Sequence, residues 1–363
     1  MPKVTFNNHN ALFFNDVKAA VNDYFKQQKI KPTGNAHLYT KTVVLITSAI
    51  ALYVSLITVA ISAWAAIIMC ATLGFILASI GFNVMHDACH GSYSSRKWVN
   101  ELLGYSLNAL GGNAFIWKFK HNIIHHTYTN VDGVDDDIAK SPLMRQCGSQ
   151  KWVPAHRFQH IYVVLVYAIS SFAWVAMMDF NKYFKQKVYT TDLQKMNIKE
   201  HVIFWLSKVL YVAFYVVIPI LAVGSFKWFI GFTVMHLVMG FTLAIVFQLA
   251  HVVEDIEFVH VGADAVQIEN EWAVHQVKTT ANFDRGNKIL SWFVGGLNFQ
   301  IEHHLFPRIS HVHYPAISKI VEAKCKEHQL PYLVNETFFK AVASHFKMMY
   351  QLGKPPVLAG SVS

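Results

Sequence analysis

The residues best able to do chemistry are histidines, 20 in a chain of 363, and they fall in clusters. His86-Asp87-Ala88-Cys89-His90 places two imidazoles four residues apart, on one face of a helix. In His121-Asn122-Ile123-Ile124-His125-His126, the same spacing puts His121 and His125 on one face and lets His126 reach a neighbouring metal. Gln300-Ile301-Glu302-His303-His304 ends in two histidines that diverge by about 100° on a helix, which suits two adjacent metals better than one. Neutral imidazole is a common ligand for borderline divalent metals, iron, zinc and copper among them. A carboxylate accepting its second N–H orients the ring, and Asp87 is placed for that task. The acidic run Asp132, Asp135, Asp136, Asp137 closely follows the second box and could serve its imidazoles in the same way, although such a run also suits a solvated loop. Histidine enrichment explains any one cluster but not three on a common site. The expected chemistry is that of a bound metal pair.

These clusters need elements to carry them, and the composition says what kind. Hydrophobic residues make up 53% of the chain and charged residues 15%, against ~25% charge in a soluble domain. Lipid is the simpler solvent for such a chain. Apolar segments of spanning length run at about 43–62, 65–84, 204–223 and 228–250, two hairpins with turns near Trp64 and at Gly224-Ser225-Phe226-Lys227. Residues 102–119 and 161–178 are also apolar. A shared metal site needs clusters one and three on one side, so an even number of crossings separates them. That places both ambiguous stretches in the interface or dipping in without crossing.

The predicted architecture is thus all-α and integral to the membrane. It has four transmembrane helices, interfacial helices, and a cytosolic cap holding a two-metal site. Three parts are expected: an N-terminal cytosolic or interfacial segment (1–40), a membrane domain (41–310) and a cytosolic C-terminal segment (311–363). Residues 11–25 are amphipathic enough to lie on the bilayer surface.

Lysine and arginine avoid the hairpin tips except for Lys227, so the His-rich loops and both termini are expected in the cytoplasm. The net charge of +9 fits a face beside anionic lipid, and the cations form no single patch of the kind that binds nucleic acid. The four cysteines are scattered, which excludes metal sites built from cysteine pairs and fits a reducing compartment. The opening MPKVTFNNHN lacks a signal peptide's apolar core.

HDACH, HNIIHH and QIEHH, in this order and interleaved with two hydrophobic hairpins, resemble the three boxes of the membrane fatty acid desaturase superfamily over roughly residues 40–310. Glutamine at the head of the third box resembles the front-end branch, which inserts a double bond between an existing one and the carboxyl end. The likeness is to bacterial linoleoyl-CoA (delta-6) desaturase-like members. The resemblance implies two iron ions, O2 as co-substrate, and an acyl-CoA or acyl-lipid substrate. No His-Pro-Gly-Gly motif of a fused cytochrome b5 occurs. Electrons are therefore expected from a separate ferredoxin, cytochrome b5 or similar donor.

The metal set expected is His86, His90, His121, His125, His126, His303 and His304 from the boxes, with His251 added by resemblance because relatives take a ligand just after the last span. Gln300 is a further candidate, directly or through water. His156-Arg157-Phe158-Gln159-His160 resembles a stretch of front-end relatives, which makes His160 a candidate for the site or its surroundings. His275 and Gln276 carry no assignment, and His311 and His313 read as structural.

Taking hydrogen from an unactivated methylene is beyond side-chain acids and bases, so the cofactor carries the hard step. The protein must hold the chain in place, worth roughly 7–11 kcal/mol of barrier. Phe115, Trp117, Trp292 and Phe299 are candidate walls for the chain. A hydroxylase or ketolase of lipid, alkane or carotenoid would use the same metals. A metal transporter would instead line its path with mid-span ionisable residues, whereas the predicted span interiors are read as holding His236 alone.

Overall fold

The computed structural model describes residues 4–8, 11–138, 142–261 and 266–356. It is mostly helical, with short two-stranded pairings among its loops. Among the described residues, five helices are long and apolar enough to cross a membrane: Ala36–Thr58, Ala63–His90, Pro154–Lys185, Ile198–Val223 and Ser225–His251. Their outward faces expose large apolar side chains, Leu221 at 80% for example, which only a lipid solvent makes cheap.

Local signals explain the boundaries. Asn35 caps the first helix by accepting from the His37 and Leu38 N–H groups, and Ser62 caps the second by accepting from Ala65. Gly224, at φ +86°, makes the whole turn between the last two helices, so Ser225, Phe226 and Lys227 already belong to the helix that follows. The second and fifth helices continue past their apolar stretch, and this carries His86, His90 and His251 on rigid extensions of the bundle.

The stretch 102–119 breaks into the short helices Lys97–Gly104, Ser106–Ala109 and Ala114–Lys118 and cannot span. Residues 161–178 belong to something longer than expected, the 32-residue helix Pro154–Lys185, which widens into a π-helical turn at Trp174–Met178. Its middle packs on the last span, where the Ser171 hydroxyl donates to the His236 carbonyl (2.9 Å). At Gly240 any Cβ would lie 2.4 Å from the Ala168 carbonyl. At one end the Gln159 amide donates to the Met349 carbonyl (2.7 Å), and at the other Lys182 pairs with Asp136 (2.6 Å).

His236 is not alone inside the spans. Lys208 lies within Ile198–Val223, where its ammonium reaches Asp179 (3.2 Å) and the Gly111 carbonyl (2.6 Å). Both charged groups are buried and paired.

The N-terminal helix Leu12–Gln28 corrects one expectation. Its apolar stripe of Phe13, Val17, Val21 and Phe25 does not face a bilayer; it is buried against Val277, Ile317 and Val321 of the helices Trp272–Lys278 and Tyr314–Glu327. The amphipathic pattern is real, but protein meets its apolar side. A last helix, Phe338–Gly353, closes over the bundle through His345, which bonds the Tyr167 hydroxyl (2.9 Å) and the Val252 carbonyl (2.7 Å).

Candidate metal centre

The first box ends its helix because Gly91 adopts φ +75° and returns its N–H to Ala88 and Asp87 carbonyls. The second box lies on a π-helical turn, Phe119–His125, closed by the His126 N–H on the His121 carbonyl (3.0 Å). The third is the short helix Gln300–Leu305, which stops just before Pro307. Asn282 seats it from outside: its amide oxygen accepts from the Ile301 N–H and its NH2 donates to Glu302, both at 2.9 Å.

These segments bring eight buried histidines together. His86, His90, His121 and His303 form one set with nitrogens within 4.8 Å of one another, and His125, His251 and His304 form a second. His126 stands between, grouped with His303 and His304. The wide turn changes the expected partition of the second box. A π turn brings i and i+5 together, so the His121 and His126 Nε2 atoms lie 3.2 Å apart, while His125 is grouped with His251 and His304 and also, through Asp137, with His121. His303 and His304 divide between the sets as adjacent helical residues should.

The donor set fits a metal pair. His90 Nε2, His125 Nε2, His126 Nδ1, His303 Nε2, His304 Nε2 and both nitrogens of His251 are buried with no hydrogen-bond partner. Leaving so many polar atoms unsatisfied would cost about 1–3 kcal/mol each unless something in the protein's working state binds them. Burial pulls the pKa values of His121, His126, His303 and His304 well below the ordinary imidazole value, with neighbouring histidines adding to the effect. Neutral imidazole is the form that ligates.

One outward nitrogen is held by the acidic run that the sequence offered for this task, and the others by groups the sequence reading left unassigned. His125 Nδ1 meets Asp135 at 3.0 Å, whereas Asp137 stands at 3.6 Å and pairs with Lys120. His304 Nδ1 meets the Gln276 amide oxygen (2.9 Å) and the Thr129 hydroxyl (3.2 Å), and His303 Nδ1 meets the Tyr314 hydroxyl (3.1 Å). Gln276 sat in view beside His275, but nothing local connects it to a histidine 28 residues away. His275 itself donates to the Thr129 carbonyl (2.8 Å), and burial lowers its pKa to about 4.

Two expected residues, Asp87 and His160, land differently. Asp87 does not orient His86; it accepts from the Ser310 hydroxyl (2.7 Å) and faces His311 Nδ1 (3.0 Å), whose other nitrogen meets the buried Lys41 ammonium (3.0 Å). This chain ties the first box to the first span and to the loop after the third box. His160 is outside both sets, packed edge-on against Tyr350 at 5.0 Å, while His156 bonds the Pro142 carbonyl. Both belong to the contact with the C-terminal helix. Gln300 is buried and its side chain faces the His251 ring.

Glu302 is buried on the outer side of the third box, accepting from Asn282 (2.9 Å) and the Tyr332 hydroxyl (2.7 Å), and burial pushes its pKa up to about 7. Tyr332→Phe removes one of these donors. It is expected to cost about 1–3 kcal/mol of stability, measured as a lower midpoint of thermal unfolding in detergent; an unchanged midpoint would show that Glu302 does not depend on Tyr332.

Comparison with known proteins defines the class. The fatty acid desaturase family profile matches residues 62–335, and the chain belongs to that family. It is 35% identical over 356 residues to the sn-1 linoleoyl-lipid 6-desaturase of Arthrospira platensis, covering 98% of this chain and 96% of the other. A Synechocystis protein of the same description is 32% identical over 92% of this chain and 93% of its own length. The acyl-lipid (8-3)-desaturase of Physcomitrium patens is 35% identical over 94% of this chain and 72% of its own.

Proposed function

We propose that the protein is a front-end desaturase of acyl lipids, inserting a double bond into a C18 chain on the carboxyl side of an existing one. The observation that carries this is the pair of histidine sets converging in a buried site. The glutamine at the head of QIEHH and the acyl-lipid desaturases among the relatives support the regiochemistry and the carrier.

Two irons bound by the eight histidines would supply, with O2 and two electrons from a separate ferredoxin or cytochrome b5-like donor, the oxidising power to remove two hydrogens from adjacent methylenes. For each double bond, two chain hydrogens, O2, two electrons and two protons become two waters. The protein's residues do the rest. Asp135, Gln276 and Tyr314 fix His125, His304 and His303 through their outward nitrogens. The packing of buried side chains keeps bulk water from the site.

Both ends of Pro154–Lys185 are tied to segments beside the histidines, Asp136 at one end and the C-terminal helix at the other. That supports a helix that enters the bilayer without crossing it, and so four crossings with the active site and both termini cytoplasmic. Residues 41–310 are then the membrane desaturase domain, flanked by cytosolic segments 1–40 and 311–363. Residues 357–363 lie outside the described structure.

Fatty acid profiling of a desaturase-free host fed linoleate tests the reaction. The expected product is an octadecatrienoate with its new double bond nearer the carboxyl end. A hydroxylated product would instead establish the hydroxylase reading, and a new bond on the methyl side would overturn the front-end assignment. Metal analysis of aerobically purified, active protein should give two irons per chain; one equivalent or less defeats the two-metal reading.

A further inference from the structure

At the far end of the bundle the two hairpins part around a cavity of about 450 Å³, within the size range of ligand pockets. Its walls are hydrocarbon and small, among them Leu56, Ala63, Ala66, Ile230 and Gly231, and its inner end is closed by Leu73 and Met235. Those residues lie about 20–24 Å along their helices from His86 and His251, at 1.5 Å per residue. Between the cavity and the histidines stand buried Leu77 and Met239 and the polar layer in which His236 bonds Tyr211 (2.6 Å) and Ser171 (2.9 Å). The cavity is not the reaction pocket.

Its mouth has a different character. Residues 42–86 contain no Lys, Arg, Asp or Glu, and residues 209–253 contain only Lys227. Lys227 lines the cavity, and among the described residues it forms no ion pair. Beside it Trp228 lines the same wall, its indole donating to the Tyr215 carbonyl (2.8 Å), and the other hairpin exposes Trp64, at the start of its second helix, at 78%. A cation flanked by tryptophans marks the headgroup level of a bilayer, so the cavity beneath it lies at the depth of the tails. We propose that this cavity binds one anionic phospholipid of the leaflet opposite the metal site, its phosphate at Lys227 and one acyl chain between the hairpin tips. An apolar space at this depth is filled by hydrocarbon, and the unpaired ammonium selects a negative head. A zwitterionic lipid offers the same phosphate but brings its own ammonium, which repels Lys227 and offsets the phosphate's charge.

Native mass spectrometry of the full-length protein, with phosphatidylglycerol or phosphatidylcholine added in mild detergent, tests this. Wild type is expected to retain one phosphatidylglycerol, at least fivefold in preference to phosphatidylcholine. Lys227→Gln should erase that preference, and Ala66→Phe, which fills the cavity, should abolish retention of both while metal content stays at the wild-type level. Ala63→Phe serves if Ala66→Phe fails to fold. Retention of phosphatidylglycerol undiminished in both cavity-filling variants overturns the site, and equal retention of the two lipids by wild type overturns the anionic head. Neither readout depends on desaturation, so failure here leaves the proposed function standing.

Discussion

His251→Ala is expected to reduce desaturation to background and to leave no more than one iron per chain. His251 ends the last span, and its ring lies 4.8 Å from that of His125 and 4.9 Å from that of His304, centroid to centroid. Both its nitrogens are buried without a partner. Removing it takes one donor from a set of three, whereas the other set has four of its own. Membrane insertion should not suffer, because the substitution makes the end of a span more apolar. His160→Ala is the control: that ring packs on Tyr350 outside both sets, so activity should fall by less than about threefold. Two irons and substantial turnover in His251→Ala would remove it from the metal site. Loss of iron from His160→Ala would mean that the sets are drawn wrongly.

How much of this was legible beforehand depends on the range of the physics. Histidines four apart on a helix announce themselves, and a span emerging from the bilayer fixes where they stand, so the boxes were readable residue by residue. Their division between two sets was not, because it turns on a local widening at Phe119–His125 that no side-chain pattern encodes. His251 is a single histidine at a span end and carried meaning only through resemblance. The partners of the outward nitrogens come from far along the chain, such as Gln276 for His304 and Ser310 for Asp87, and spacing says nothing about such pairs. Helix Leu12–Gln28 shows another limit. A periodic apolar stripe gives the need for burial but not the partner, and lipid and protein satisfy Phe13 and Val17 equally well on paper.

The same distinction bears on the acidic run after the second box, where adjacent carboxylates have unlike tasks. Asp136 pairs with Lys182, Asp137 with Lys120 and Asp132 with the exposed His260, whereas Asp135, fully buried, lies at hydrogen-bond distance from His125 of the clustered sets. Its two oxygens are in demand: one meets His125 Nδ1 (3.0 Å) and the Asn130 N–H (3.1 Å), the other the Asp137 N–H (3.0 Å). Asp135→Asn keeps the shape but replaces one acceptor oxygen with a donor NH2. Either His125 loses its acceptor or a buried backbone N–H does, and in both cases the His125 ring is less firmly held and less basic. Activity should fall roughly 10–100-fold, the usual cost of disturbing the groups that orient metal ligands. Iron should also be lost faster to an external chelator than from the wild type. Asp137→Asn leaves the 3.0 Å contact in place and should cost several-fold less on both measures. If Asp137→Asn proves the more damaging of the two, the carboxylate that orients His125 has been misassigned.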